Sequence, residues 1–340
     1  MRFRRSAVAG VAVLALALVS ACNDGEAGQN GDASLEKVSY LTSFNTFGRE
    51  AYAYVALEKG YFKDAGFDVT ITPGSGTVDV LKLVAGGQAD YGIGDFTATV
   101  ITLGNQKLPV TTVGMIHQKS LAAIVALEGG KINRPEDLPG KRIGDQPGST
   151  NQVMFPVYAK AAKINPADTK FVANPPPALP QLLAAGKVDG IGQFVVGVPL
   201  VEKADPDKRK AVVLPYGNLL PDLYGNAIIT RDDLAKDHPD QVKKFTTALL
   251  KGLQDTIDDP ASAAKTLKKY VPNTDLDVAT AELQLMKPYV KPDDFTGPLG
   301  EVDPNRVQKI INLLEEADAV KPKGSMKPAD VVNDALAPKG

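Results

Sequence analysis

The stretch "LVAGGQADYGIGDF" (83–96) returns about a hundred residues later as "LLAAGKVDGIGQF" (182–194). Leu83, Val84 and Ala85 pair with Leu182, Leu183 and Ala184; Gly87 pairs with Gly186 and Asp90 with Asp189. Each copy then reads Gly-Ile-Gly, a polar residue and Phe. Each is a helix, a glycine stop and a short strand ending at Gly-Ile-Gly. A spacing this long is not that of a solenoid, whose units run about 20–50 residues. It predicts two similar lobes. The roughly 300 residues after Lys37 are enough for two domains.

The rest of the chain fits that division. "KVSYLTSF" (37–44) reads as a strand, followed by a helix over Ala51, Tyr54, Val55, Tyr61 and Phe62. Asn45 or Thr46 is placed to cap that helix, and Gly66 to end it. "FDVTITPG", "DYGIGD", "PVTTVGMIHQKS" and "LAAIVAL" are further strands, with helices between. The pattern restarts with strands in "KRIGDQPGS", "TKFVANPP", "DGIGQF" and "KAVVLPYG". Alternation of this kind predicts parallel-dominated α/β sheets. After Leu223 comes one strand (226–230) and then long helices separated by Pro239, Pro260 and Pro272. Their apolar faces need an existing lobe to cover them, so the chain is expected to cross back and complete the first lobe. The expected boundaries are 37–125 for lobe 1, 126–222 for lobe 2 and 223–340 for the return.

The N-terminus is a targeting segment. Arg2, Arg4 and Arg5 precede an apolar run from Ala7 to Val19, which reads as a secretory signal over 1–21. The run is too short for a comfortable membrane span of about 20 apolar residues. Val19-Ser20-Ala21-Cys22 resembles the bacterial lipobox, and Cys22 is the only cysteine of the chain. Cys22 is therefore the expected lipidation site, no disulfide can form within the chain, and 22–36 is a flexible Gly/Asn/Asp-rich tether. The protein is expected outside the cytoplasm, held to the outer face of the cell membrane by acyl chains. The formal charge of −2 becomes −5 once the three signal arginines are removed. Without basic clusters the chain is a poor partner for nucleic acid.

No catalytic constellation stands out. The two histidines, His117 and His238, are far apart in sequence, and no HExxH, P-loop, nucleophile elbow or complete dinucleotide fingerprint occurs. No cofactor or metal is implied, and the expected activity is binding, not catalysis. In open α/β sheets a ligand sits outside the carboxyl ends of the strands. Three groups of residues fall there. Ser75 and Thr77, and Ser149, Thr150 and Asn151, stand at helix starts, either as caps or as an acceptor-binding site. Phe44, Asn45, Phe47 and Arg49 follow the first strand: the aromatics can stack on a flat ligand, Asn45 can bond its edge, and Arg49 can meet a carboxylate or phosphate. Asp95 and Phe96, and Gln193, end the two repeat copies and offer unlike polar contacts if they point inward. Phe96 is either a cleft residue or a core lid. Tyr216 and Tyr224 either line the cleft or pack the hinge.

Three blocks carry a family resemblance. "AYVALEKGYFKDAGFDVTITPGSGTVDVLKLVAGGQADYGIGD" (53–95) is similar to the start of the NMT1/THI5-like substrate-binding proteins, which are related to the alkanesulfonate-binding group. "EDLPGKRIGDQPGST" (136–150) resembles that family's entry to the second lobe, and "YGNAIITRDDLAKDHPDQVKKFTTALLKG" (224–252) its return segment. The resemblance implies a periplasmic-binding-protein type II fold, with each of two lobes a mixed sheet flanked by helices. It also implies a monomer that closes on a small molecule and delivers it to an ABC permease and its ATPase. Branches of the family bind thiamine pyrimidine precursors, sulfonates, taurine, nitrate or flavin-like molecules. The thiamine-related branch often has a Trp near the first strand end; this chain has no Trp, and Phe44 stands in that neighbourhood. The family's fungal enzymes use a Cys-rich motif that a chain with Cys22 alone does not contain.

Overall fold

The computed structural model describes residues 35–339. The expected signal segment and the lipidation site Cys22 lie outside them. In chain order the first lobe contains β1 (Glu36–Leu41), α1 (Ala51–Glu58), α2 (Tyr61–Asp64), β2 (Phe67–Thr72), α3 (Thr77–Ala85), β3 (Tyr91–Asp95), α4 (Phe96–Asn105) and β4 (Val110–Met115). The second contains β5 (Ala122–Leu127), β6 (Arg142–Asp145), α5 (Thr150–Ala161), β7 (Lys170–Ala173), α6 (Leu179–Ala184), β8 (Gly190–Phe194), α7 (Val198–Ala204) and β9 (Ala211–Pro215). The return is β10 (Asn226–Arg231) followed by α8 (Asp232–Asp237), α9 (Pro239–Asp258), α10 (Pro260–Tyr270), α11 (Leu276–Val290) and α12 (Pro304–Glu316).

The ten strands form two five-stranded sheets, ordered β2-β1-β3-β10-β4 and β7-β6-β8-β5-β9. The orders superimpose position by position. Each sheet has one antiparallel member, and each is lent by the chain as it crosses between lobes. β10 lies antiparallel to β3 and β4; β5 lies antiparallel to β8 and β9. The repeat strands β3 and β8 occupy the same central place. Because β5 belongs to the second sheet, the first crossing falls between Met115 and Ala122, ahead of the expected boundary at residue 125. β1 likewise begins at Glu36, the last residue assigned to the tether.

The repeat glycines are explained by what lies over them. A Cβ on Gly92 would stand 2.4 Å from Val80 Cγ1 of α3, and one on Gly192 would stand 2.1 Å from Asp145 Oδ2. Side chains fill the space, so the glycines permit close packing and do not hold the cleft open.

The start of α1 differs from expectation. Asn45 has φ 57° and donates its backbone N–H to Gly74 O, and a 3₁₀ turn over 48–50 leads into the helix with no side-chain cap. Gly60, at φ 76°, then splits the expected single helix into α1 and α2, a conformation glycine adopts without a Cβ penalty.

Phe245 of α9 anchors the return to lobe 1. Its ring stacks on Tyr91 of β3 at 3.7 Å and on Phe62 of α2 at 5.2 Å. Such pairs add about 0.5–1.5 kcal/mol beyond the area they bury. The later helices do not simply complete lobe 1. α11 packs against the turn at 48–50 in one lobe and against α7 in the other, and Lys203 of α7 pairs with Asp275 just before α11. Lys160 of α5 bonds the Glu316 carbonyl at the end of α12. The helical return therefore straddles both lobes.

Candidate ligand-binding cleft

The carboxyl ends of the strands in the two lobes meet. Ser43 and Phe44 after β1 line a narrow cavity with Ser149, Thr150 and Asn151 at the start of α5 and with Gln193 and Phe194 of β8. The lobes touch directly beside it. Thr77 Oγ1 and Thr150 Oγ1 are 3.0 Å apart, and the Val78 N–H reaches the Gly148 carbonyl at 3.4 Å. The cleft is closed, with no room for a drug-sized molecule, so a ligand enters only if the lobes part. A larger concavity lies outside this cleft, between the end of α4 and residues 321–334. It is open, its charges are mixed, and none of its lining side chains is buried without a hydrogen-bond partner.

The α5 start is organised by its own bonds. Ser149 is the N-cap: its Oγ accepts from Gln152 N at 3.1 Å and donates to Asp145 Oδ2. Asn151 Oδ1 accepts from Ala123 N at 3.0 Å, tying α5 to β5. Capping and tethering therefore account for both side chains, and Thr150 alone reaches across the cleft. Burial holds the Asp145 carboxyl up to about 7, against the pull of its Ser149 bond. At α3, Thr77 is not a cap. Its Oγ1 accepts from Asp95 N at 3.0 Å and faces Thr150. Ser75 is exposed.

Arg49 is the most unusual side chain here. It is 1% exposed, yet no nitrogen of its guanidinium makes a hydrogen bond. Phe47 lies 4.5 Å from the guanidinium carbon and Phe194 of the other lobe 5.0 Å. Phe44 packs beside Phe47 with ring centroids 6.4 Å apart. Glu282 Oε1 of α11 stands 3.7 Å from Arg49 Nη1, too long for a hydrogen bond. Burial pushes the Glu282 carboxyl up to about 7 even with Arg49 beside it.

A second group of unpaired polar atoms lies at the end of β3 and in the first crossing. Asp95 Oδ1 caps α4 by accepting from Ala98 N at 2.9 Å, while its Oδ2 is buried and unpaired. Asn226, its register partner on β10, has an unpaired Oδ1. His117 accepts from Asn226 N through Nδ1 at 3.3 Å and leaves Nε2 unpaired. Burial pushes the Asp95 carboxyl up to about 7; burial and the charge of Arg49 push His117 down to about 3. Gln193, the Asp95 counterpart, instead accepts from the next residue's N–H at 2.8 Å.

Three residues left open between cleft and core or hinge take the packed position. Phe96 is fully buried edge-on to Tyr224 at 5.6 Å. Tyr216 stacks on Tyr158 at 4.2 Å and donates to Asn151 O. Tyr224 lies under Arg306, with 3.8 Å from guanidinium carbon to ring centroid, and accepts from Asp303 N. Arg306 also donates to the carbonyls of Gln118 on one crossing and of Asp222 and Leu223 on the other. These tyrosines pack α5 and the hinge, with no face left for a ligand. Sequence reasoning missed Asp145, Asn226 and Glu282. Glu282 had one signal: it falls on the apolar stripe of Val278, Ala279, Leu283 and Met286.

Among the described residues, no helix is long and apolar enough to cross a membrane, and no cluster of His, Cys, Asp or Glu could hold a metal. The family model described as "NMT1/THI5 like" matches residues 49–263. A formylaminopyrimidine-binding protein from Halalkalibacterium halodurans is 23% identical over 90% of this chain and 92% of its own. A 4-amino-5-hydroxymethyl-2-methylpyrimidine phosphate synthase from Candida albicans is 26% identical over 83% of this chain and 86% of its own. Among solved structures, a ligand-binding component of an ABC-type import system from Staphylococcus aureus superimposes with a TM-score of 0.66 at 16% identity, over 89% of this chain and 97% of that one. The alkanesulfonate-binding protein SsuA from Xanthomonas axonopodis gives 0.65 at 17% identity, over 88% and 98%. With this two-lobed binding-protein fold and a family match over more than half its length, the chain belongs to the NMT1/THI5-like family.

Proposed function

We propose that the protein is the solute receptor of an ABC importer, anchored outside the cytoplasm through Cys22 and working as a monomer. A small planar organic molecule binds between the lobes, the hinge closes on it, and the closed form docks on the permease and its ATPase. The observation that carries this reading is the interlobe seam: a cavity at the strand ends, aromatic rings from both lobes, and buried polar atoms that lack partners. Unpaired buried groups are costly, and a ligand that satisfies them recovers that cost. The pyrimidine-binding relative supports a heteroaromatic ligand of the thiamine-precursor kind; the alkanesulfonate-binding neighbour makes an organic anion the competing choice.

Mass spectrometry of small molecules released when the purified protein is denatured identifies the ligand. A thermal-shift series with pyrimidines, flavins, sulfonates and carboxylates measures its class, since a tight binder raises Tm by mass action. One stoichiometric, chemically unchanged ligand is the expected result. The synthase names among the relatives favour a second reading as an enzyme. Conversion of the bound molecule on incubation would establish that reading and overturn the receptor.

A further inference from the structure

We infer that Arg49 and Glu282 together read one edge of the ligand, Arg49 donating to an acceptor atom and Glu282 accepting from the N–H beside it. The cleft then selects a flat ring with a cyclic-amide or amino-azine edge. This inference rests on the receptor reading and adds which residues impose selectivity.

The two groups are unfinished without a third. Arg49 carries five N–H donors in one plane. Phe47 and Phe194 cover the guanidinium, so hydrogen-bonding partners must approach its edge. No edge atom has a hydrogen-bond acceptor, and Glu282 Oε1, an ion-pair partner 3.7 Å away, likewise makes no hydrogen bond. An unpaired donor and an unpaired acceptor side by side form a complementary edge for a ligand that presents acceptor and donor side by side.

The position is built in, not incidental. Arg49 N donates to Glu282 Oε2 at 3.3 Å, fixing the carboxylate. A Cβ on Gly48 would stand 2.6 Å from Ala279 Cα, so only glycine lets α11 bring Glu282 this close. Phe194, which covers the guanidinium from the second lobe, also lines the interlobe cavity. Arg49 and Glu282 do not themselves line the closed cavity; Phe194 stands between it and the guanidinium, so the edge is reached when the second lobe withdraws that ring.

Charge favours a neutral ligand edge over an anion. Both Glu282 and Glu50 act on Arg49, and Glu50 is already satisfied by Ser43 Oγ and Tyr52 OH. A ligand carboxylate or sulfonate would add a third buried acidic group to one cation, with its desolvation cost uncompensated.

The test uses three probes on the purified full chain: 2-pyridone, N-methyl-2-pyridone, which keeps the acceptor and deletes the donor, and benzoate. Binding is read by calorimetry and by the rise in Tm. We expect 2-pyridone to bind about tenfold more tightly than its N-methyl form, the worth of one buried hydrogen bond. Glu282→Leu should abolish that preference, Glu282→Gln, which keeps an acceptor, should retain it, and Arg49→Met should weaken both pyridones. The wild-type comparison alone decides the matter if a variant does not fold. Equal affinity for the two pyridones, tighter binding of benzoate, or no binding of any probe at millimolar concentration overturns the inference. If benzoate or a co-purifying molecule without such an edge closes the lobes, the receptor reading survives and only this assignment falls. If no solute closes them, the receptor reading itself falls.

Discussion

β3 and β8 hold the same place in their sheets and nearly the same sequence, yet the two walls they build are unlike. On the β8 side the polar groups are spoken for: Gln193 bonds the Phe194 N–H, Asp145 holds Ser149, Ser149 caps α5, and Asn151 holds Ala123. On the β3 side Asp95 Oδ2, Asn226 Oδ1, His117 Nε2 and the whole Arg49 guanidinium lack partners. Among the described residues, every buried side chain without a partner lies in lobe 1, the first crossing or the return, and none between β5 and β9. The topology is duplicated and the polar chemistry is divided; on the proposed receptor reading, lobe 1 reads the ligand and lobe 2 closes over it.

Adding a methyl group to the two strands should expose the difference most strongly. Gly192→Ala drives a Cβ into the Asp145 carboxylate and through it disturbs the α5 cap; it is expected to cost about 3 kcal/mol, the upper end for overpacking. Gly92→Ala meets apolar side chains, Val80 and Val84 closely and Leu41 at ordinary contact distance, and should cost closer to 1 kcal/mol. Urea denaturation of the two variants compares them; equal losses would refute the idea that the second wall depends on Asp145.

The hinge gives the next effect. Arg306→Gln removes the clamp that ties both crossings to α12, and is expected to cost about 2 kcal/mol: a hydrogen bond to a charged group is worth about 1.5–3 kcal/mol, but these three are exposed or only part-buried and together keep a fraction of their sum. Small-angle scattering of the ligand-free variant should show a more open molecule. An unchanged profile would mean that Arg306 braces the fold without setting the lobe angle.

Smaller still is the contrast at the repeat's polar position. Asp95→Ala loses the α4 cap, at about 1 kcal/mol. Gln193→Ala should cost less, because its bond closes onto the adjacent residue. Ligand affinity should likewise fall more at Asp95; a larger loss at Gln193 would reverse the roles of the walls.

The pH dependence is the finest of these contrasts. Asp95, Asp145 and Glu282 are held up to about 7 by burial, whereas unfolded carboxyls titrate near 4. The folded protein therefore retains protons that the unfolded chain has released, and these groups lose stability as pH rises from about 4 to about 7. His117, pushed down to about 3, works in the opposite sense, costing stability as pH falls below about 6.5. Urea midpoints measured from pH 5 to 8 should decline and then flatten, and Asp145→Asn should make the decline shallower. A midpoint that rises steadily across that range would contradict the buried carboxyls.

All ten strands of the described residues were legible because each is short and bounded by turn residues, and the repeat made the two-lobed plan readable. The cleft was less so. Ser149 and Asn151 have the residue types of a ligand site but are consumed by local bonds, a choice that depends on Asp145 and Ala123 lying beside them. Arg49 was found next to its strand, but Glu282 lies 233 residues away and meets it only because Gly48 lets α11 approach. For Phe96, Tyr216 and Tyr224 the sequence left cleft and core or hinge both open; which face of a ring is covered depends on elements distant in the chain.

The proposed receptor works by closing its lobes on a ligand. With Cys22→Ser to leave no native thiol, spin labels at Ser75→Cys on lobe 1 and Pro147→Cys on lobe 2, both exposed, report the width of the cleft by pulsed electron resonance. Protein stripped of ligand should give a broad, long distance distribution, collapsing to a single short distance when the molecule recovered from the purified protein is added back. One distribution, unchanged by that molecule, would contradict it.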